Sequence, residues 1–475
     1  MRVVLSTPPK TGADDYERFY PNLGLLYLIS HARRLSPDIE FVYLEGKEYG
    51  IDDYVDFILK LDAHMLGLSF VTFQAPAAYQ TINILKKASP SLTVICGGPH
   101  PTAAPWDVLQ KSDADLCVVG EGENTFTELL HTFEEAGELS NRWLQKISGL
   151  AMRDGTSIVN TSARPFIMDL DSIPFPAWDL VDFSKYAGYH WKKASRDVAM
   201  VSSRGCPYDC VFCSNPVWKS NKPWLRMRSP RNVADEIEML YETYEVREIF
   251  DFSDEFNSSV DWATRVCNEI KSLGLRDFFF KCQLRADKIT DELADGLSDI
   301  GCWLAQVGIE SGNQQTLDGI RKGITLEQVL KGCRRLKKRG IKVLGFFMVF
   351  NVWEKNGELH YEDRRMSENT FKFARKLISE RLIDYMSWSI TTPMPGSSLF
   401  DLCTRHHLLR EKSYCYSGLD HITLNLPNVG VRDIELLKAK GTILQVYSSL
   451  LGGNLNWRSL PYALRKIKLV FQHFF

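Results

Sequence analysis

Three cysteines, Cys206, Cys210 and Cys213, stand inside the ten-residue run RGCPYDCVFC from Arg204 to Cys213. A structural zinc ion wants four ligands, usually in two separated pairs, and no second pair lies nearby in the sequence. Zinc is therefore disfavoured. A [4Fe–4S] cluster is held by thiolates from a tight loop, and three thiols leave one iron with an open position that can bind and reduce another molecule. At this level three readings stand: a chance grouping, a cluster that only carries electrons, and a cluster with an open iron. The other eight cysteines, at 96, 117, 267, 282, 302, 333, 403 and 415, are scattered singly in apolar or helical contexts and read as small buried hydrophobes.

The elements that must position the triad are legible around it. From about residue 196, six strand-like runs alternate with helical patterns: VAMVSS, REIFDFS, FFFKCQL, WLAQVGIE, KVLGFFMVF and YMSWSITT. Six βα units predict a partial β/α barrel with its functional loops after the strands. The cysteine run follows the first barrel strand, so it falls on that face. Before the barrel, RVVLST, IEFVYLE, MLGLSFVT, LTVICGG and LCVVGEGE each precede an amphipathic stretch. That is βα five times over, which predicts a doubly wound parallel sheet binding its ligand beyond the carboxyl ends of the strands. The loops to watch are TPPKTG, GGPHPT and GEGE.

The expected class is α/β, with a Rossmann-like parallel sheet, a partial (β/α)6 TIM-like barrel and a mainly helical C-terminal tail. The expected domains are residues 1–140, a hairpin and linker over 141–190, the barrel over 191–400 and an extension over 401–475.

Composition narrows the function. The 475 residues are 44% hydrophobic, with formal net charge −2 and pI about 6.6, so no basic field draws the chain to nucleic acid. MRVVLSTPPK turns polar before a signal-peptide core could form. VLGFFMVF is far shorter than the ~20 residues of a spanning helix and reads as a buried strand. Eleven cysteines with no export signal point to a reducing cytoplasm.

Cys206-x3-Cys210-x2-Cys213, with Phe212 before the last cysteine and a barrel strand before the run, resembles the radical S-adenosylmethionine (SAM) superfamily. The resemblance implies that SAM chelates the open iron through its amino and carboxylate groups. One-electron reduction then cleaves its sulfonium to a 5′-deoxyadenosyl radical. It further implies a SAM site containing Phe212, with Ser253, Asp254 and Glu255 of FDFSDEFN receiving the methionine amino group. Arg285 of QLRAD would pair with the carboxylate through a charge-assisted contact, and Glu310 and Ser311 of VGIESG would reach the ribose. TTPMPGSSLFD resembles the close of this barrel type. Where relatives continue the fifth strand into a short Gly/Pro loop, this chain reads FNVWEKNGELHYEDRRMSEN, an insertion expected either to cap the substrate site or, more simply, to form a solvated loop.

The first sheet, the DLDSIPFPAWDL linker and the barrel together resemble radical enzymes that carry a cobalamin-binding domain. That implies cobalamin contacts at Thr7, Pro8, Ser69, Gly97, Gly98, Pro99, His100, Glu121 and Gly122. The run Asp62-Ala63-His64-Met65-Leu66-Gly67 matches the D-x-H-x-x-G pattern of other cobalamin proteins. That motif belongs after the first strand, however, whereas His64 begins the third, on the amino edge. Cobalamin is therefore expected without a histidine ligand, with His100 lining the site.

The resulting expectation is a cytoplasmic radical SAM enzyme using a [4Fe–4S] cluster, SAM and cobalamin, most simply a C-methyltransferase. Its rivals are a radical cyclase or carbon–carbon coupling or rearrangement enzyme with a cobalamin-free first domain, and a non-catalytic iron–sulfur electron carrier. No residue is assigned to act on the substrate. The expected partners are a small-molecule or lipid-like substrate and a flavodoxin- or ferredoxin-type reductant, with no nucleic acid. The tail LPYALRKIKLVFQHFF aligns Leu464, Ile467, Phe471 and Phe474 on one helical face. Such a face packs on the barrel or rests on an anionic membrane surface.

Overall fold

The computed structural model describes residues 1–10, 20–186, 192–214, 219, 221–410 and 423–452. They divide into two compact units, one built from residues 1–186 with 214–224 and the other from most of the remainder.

The first unit is a seven-stranded sheet of β1 (Arg2–Ser6), β2 (Glu40–Leu44), β3 (Met65–Ser69), β4 (Thr93–Gly97), β5 (Leu116–Val118), β6 (Leu150–Asp154) and β7 (Ser157–Asn160). The order is β2-β1-β3-β4-β5-β6-β7. Strands β1 to β5 are parallel and read as continuous apolar runs, because helices cover both faces. Val3, Val4, Leu66, Leu68 and Val94 are all buried. The chain direction of the strand order reverses between β1 and β3, and the crevice beyond their carboxyl ends is where such sheets bind ligands.

The hairpin β6–β7 turns at Asp154-Gly155, with Gly155 at φ 59°. It extends the sheet antiparallel to β5, a placement not apparent from its own sequence. The stretch expected as a linker is folded onto this unit as a strap of short 3-10 turns: Ala177 N–H donates to the Leu26 carbonyl at 3.2 Å, and Trp178 is buried.

The second unit contains a six-stranded parallel sheet. Its strands are β8 (Asp197–Met200), β11 (Glu248–Asp251), β12 (Phe279–Leu284), β13 (Cys302–Glu310), β14 (Lys342–Val349) and β17 (Tyr385–Ile390), in the order β17-β14-β13-β12-β11-β8. Two short pairs accompany it, β9 (Ser203–Arg204) with β10 (Arg226–Met227) and β15 (Val352–Lys355) with β16 (Glu358–Tyr361). Each sheet strand follows its neighbour in the chain, as expected for a partial barrel. The connecting helices carry local signals: Thr325 and Gln328 form a capping box at the start of helix Leu326–Lys338, and Gly340 at φ 74° stops it.

The amino ends of the strands are closed by a buried ionic group. Lys281 Nζ lies 2.7 Å from Asp197 and 3.0 Å from Glu248, and Trp303 Nε1–H donates to Glu248 at 2.9 Å.

The insertion after β14 corrects the simpler expectation of a solvated loop. It forms the hairpin β15–β16, with Asn356 and Gly357 both at positive φ, the requirement of a type I′ turn. Trp353 is buried and stacks on His360. The described C-terminal residues include helices Ser398–Arg405 and Val431–Leu451. Among the described residues no helix is long and apolar enough to cross a membrane. The Leu464–Phe474 stripe lies outside the described residues.

Candidate cluster and cofactor site

The cysteine run leaves β9 through Gly205, at φ 83°. Three neighbours then fix its course. Val211 N–H donates to the Ile320 carbonyl at 2.9 Å, Leu399 N–H donates to the Val211 carbonyl at 2.8 Å, and Asp209 pairs with Arg321 at 2.9 Å. Within this turn Cys210 is buried and Cys206 and Cys213 are half-buried. Burial, with the nearby Glu255 and Asp254 charges, pushes the Cys206 thiol up to about 12. It is therefore neutral at pH 7, and a metal must displace its proton on binding. Among the described residues no three His, Cys, Asp or Glu side chains converge as one ion would require. A cluster makes a different demand, since each thiolate takes its own iron.

A charged wall stands beside this loop at the carboxyl ends of β11, β12 and β13. Glu255 is buried, and one oxygen lies 3.7 Å from the Cys206 sulfur. Its other oxygen has no hydrogen-bond partner among the described residues, and burial pushes the carboxyl up to about 7. An unpartnered buried carboxylate oxygen beside the cysteine loop fits an incoming ammonium group.

Arg285, also buried, lies over the Tyr208 ring with its guanidinium carbon 3.6 Å from the centroid. It pairs with Asp287 at 2.8 Å and donates to the Lys322 carbonyl. Glu310 adopts φ 65° and binds Lys322 Nζ at 2.8 Å. This ion pair sits over Gly308, where a Cβ would meet Glu310 Oε1 at 2.5 Å and Lys322 Nζ at 2.8 Å. A side chain here would push the pair aside.

In the first unit the loop after β4 passes close to the end of β3. Gly98 is at φ 91°, and a Cβ there would meet Ser69 Oγ at 2.6 Å. A Cβ on Gly97 or Gly120 would meet nothing within 4 Å, so both leave open backbone at this edge for a broad ligand. Gly120 N–H donates to Thr102 Oγ1 at 3.1 Å, tying the β5 loop to the β4 loop. Glu121 accepts from Ile167 N–H at 3.3 Å, and Gly122 precedes helix Glu123–Ala136.

His64 sits at the amino edge beside Arg2, whose N–H lies 3.2 Å from its Nδ1. Two of the expected cobalamin contacts face inward instead. Thr7 Oγ1 accepts from Gly46 N–H at 3.0 Å and reaches Glu45, and Pro8 is buried against Gly46.

Residues 200–357 match the radical SAM superfamily model, and residues 9–130 match the B12 binding domain model. The chain is 31% identical over 414 residues to an uncharacterized methyltransferase of Pyrococcus horikoshii, spanning 86% of this chain and 84% of that protein. The chain belongs to the radical SAM superfamily and carries a B12-binding domain. It is also 28% identical over 405 residues to the anaerobic magnesium-protoporphyrin IX monomethyl ester cyclase of Rubrivivax gelatinosus, covering 84% of this chain and 69% of that one. The fold is shared with a solved cobalamin-dependent SAM radical enzyme, OxsB, at TM-score 0.72 and 17% identity, over all of this chain and 72% of that one.

Within this radical SAM barrel the expected SAM residues do not all converge. Glu255, Arg285 and Glu310 flank the cysteine loop. Asp254 is exposed and Phe212 half-buried. Ser253 Oγ accepts from Ser202 and Ser203 N–H at 2.9 and 3.0 Å, so it ties β11 to the end of β8. Ser311 is a correction to the expected ribose contact: it is fully buried and donates to Glu362 at 2.9 Å. His100 is also buried. Its Nε2 lies 2.8 Å from Tyr79 Oη, its Nδ1 lies 3.1 Å from Thr72 Oγ1, and Tyr79 donates to Asp107 at 2.8 Å. It holds the β4 loop from beneath instead of lining its surface.

Sequence reasoning missed Lys322 and Tyr208. Tyr208 lies within the cysteine run itself. Lys322, in GIRKG, sits beside a Gly323 at φ 67°, and that lone Lys-Gly pair was the only local signal. It also missed Glu362, a fully buried carboxylate fed by Asn351, Ser311 and Thr316.

Proposed function

We propose that the protein is a cobalamin-dependent radical SAM methyltransferase acting on an unactivated carbon. The observation that carries this reading is the presence in one chain of a three-thiol loop on the carboxyl face of a radical SAM barrel and a B12-binding domain. In this reading Cys206, Cys210 and Cys213 hold the cluster. Glu255 receives the methionine amino group, Arg285 and Lys322 flank its carboxylate, and Glu310 contacts the ribose. Gly97, Gly98, Pro99, Ser69, Glu121 and Gly122 frame the cobalamin.

When bound, the [4Fe–4S] cluster, SAM and cobalamin supply an electron, a hydrogen-abstracting radical and a transferable methyl group. The protein's share is positional. Tyr208 and Arg285 fix the cysteine loop, Glu255 offers an unpartnered acceptor in a water-poor place, and the Glu310–Lys322 pair holds two opposite charges at fixed spacing. We assign the domains as residues 1–140, 141–190, 191–400 and 401–475. We place the reaction in a reducing cytoplasm, where none of the ten described cysteines is drawn into a disulfide and a flavodoxin- or ferredoxin-type protein supplies electrons. Peripheral membrane contact by the tail remains part of this proposal.

The test is anaerobic purification and reconstitution, followed by cofactor analysis and incubation with SAM and a reductant. A methyltransferase of this kind binds corrinoid and forms both 5′-deoxyadenosine and S-adenosylhomocysteine. Formation of 5′-deoxyadenosine without corrinoid favours the cyclase reading, which the similarity to the Rubrivivax gelatinosus cyclase also supports. Absence of SAM cleavage favours the electron carrier. Alanine at Cys206, Cys210 or Cys213 abolishes cluster iron in all three readings, whereas Cys302→Ala keeps it.

A further inference from the structure

The inner face of the six-stranded sheet divides into two chemistries. Cross-strand register places Gln283 of β12, Gln306 of β13, Phe346 and Met348 of β14, and Ser387 and Ser389 of β17 on one side. Leu304, Leu344 and Tyr385 fill that side nearer the amino ends, with Phe346 against them. Beyond this plug, β11 to β13 end in the charged wall of Glu255, Arg285, Glu310 and Lys322. The inward positions of β14 and β17 above the plug carry no charge.

Their polar groups are nevertheless present and unused. Gln306 is 4% exposed, and its amide makes no hydrogen bond to a described residue. The side chains of Gln283, Ser387 and Ser389, all half-buried, make none either. A row of amides and hydroxyls aimed into the barrel, with no hydrogen bond to a described residue, is open to a ligand that brings donors and acceptors of its own. An ionised group entering here would lose its hydration without meeting a counter-charge. A neutral group would lose little and could satisfy the row.

We propose that this wall, Gln283, Gln306, Ser387 and Ser389 with Phe346 and Met348, binds an uncharged part of the substrate that bears an amide, carbonyl or hydroxyl group on an apolar body. The assignment rests on the reading that the barrel is where the substrate's reacting carbon is held. SAM, which is zwitterionic at its methionine end, belongs to the charged wall and the substrate to the neutral one.

The test uses the reconstituted full-length protein with saturating SAM and three probes that share one ring: benzamide, benzoate and benzylammonium. Ligand-observed nuclear magnetic resonance reads their affinities. Benzamide is expected to bind at least about ten-fold more tightly than either ion, because only the ions enter without a partner. Gln306→Leu and Ser389→Ala are each expected to weaken benzamide several-fold, with melting temperature retained. Gln306→Leu carries some risk to the fold, and Ser389→Ala, a smaller change on another strand, keeps the test decisive. Equal or tighter binding of either ion, no benzamide binding, or benzamide binding unchanged in both variants overturns the proposal. None of these outcomes depends on corrinoid or S-adenosylhomocysteine, so failure here and failure of the methyltransferase reading are told apart.

Discussion

The guanidinium carbon of Arg285 lies 3.6 Å from the centroid of the Tyr208 ring, which joins the loop after β12 to the loop that carries the three cysteines. The same guanidinium reaches the Lys322 carbonyl, so one side chain couples three segments that are distant in the chain. Cation–π contacts of this kind contribute about 0.5–2 kcal/mol, more as they are desolvated.

Arg285→Ala is expected to retain cluster iron but weaken SAM. A charge-assisted hydrogen bond is worth about 1.5–3 kcal/mol, or roughly 10- to 150-fold in affinity. Titration of the reduced cluster followed by electron paramagnetic resonance measures this. Unchanged affinity would remove Arg285 from the SAM site.

Gly308→Ala tests the ion pair above β13. The clashing atoms are the ends of two flexible side chains, so the fold is expected to survive with a stability change of about 1 kcal/mol or less. Glu310 and Lys322 must swing aside, and SAM affinity should fall while the melting temperature hardly moves. A large fall in melting temperature with normal SAM affinity contradicts the assignment.

Lys281→Met removes the cation between Asp197 and Glu248 at the amino ends of the strands. Two buried carboxylates then lose the cation between them, a change that costs about 3–5 kcal/mol. Chemical denaturation of the apoprotein should show a loss of this size. A change below about 1 kcal/mol would mean that water or rearrangement compensates for the missing charge.

Burial pushes the Glu362 carboxyl up against the lowering effect of its neutral donors Asn351, Thr316 and Ser311. The folded protein therefore keeps this proton to higher pH than the unfolded chain does. The resulting stability is complete below the ordinary glutamate range near about 4.3 and is lost as pH rises through the raised folded value. Glu362→Gln cannot ionise. Thermal denaturation across this range should show the variant gaining on the wild type as pH rises, and a constant difference would refute the shift.

His64→Ala is expected to leave corrinoid content and spectrum unaltered, because His64 stands on the amino edge beside Arg2. His100→Ala should lower corrinoid retention without changing the axial-ligand spectrum, since it removes the support under Gly98 and Pro99. A nitrogen hyperfine pattern in the cobalt(II) signal that vanishes with His64 would reverse this.

The sequence by itself determined the features written in short-range order. The three-thiol spacing, the strand runs, the capping box at Thr325 and the stop at Gly340 all depend on neighbours within a turn or two. So did the placement of the cysteine run after a barrel strand. What it could not determine was the direction of each side chain beyond a strand end.

Glu310 and Ser311 are adjacent and were expected to act together. The register shift between Gly308 and Glu310 turns the first toward Lys322 and the second into the Glu362 group. His100 and Thr7 were likewise legible as residues of the right loops but are held inward by Tyr79 and Gly46. Lys322 joins the site through long-range ties, the Ile320 carbonyl accepting from Val211 N–H and the Lys322 carbonyl accepting from Arg285. The pairing of strands and the filling of buried space are long-range constraints, so only the tertiary structure decided which polar groups met a partner inside the protein and which were left for a ligand.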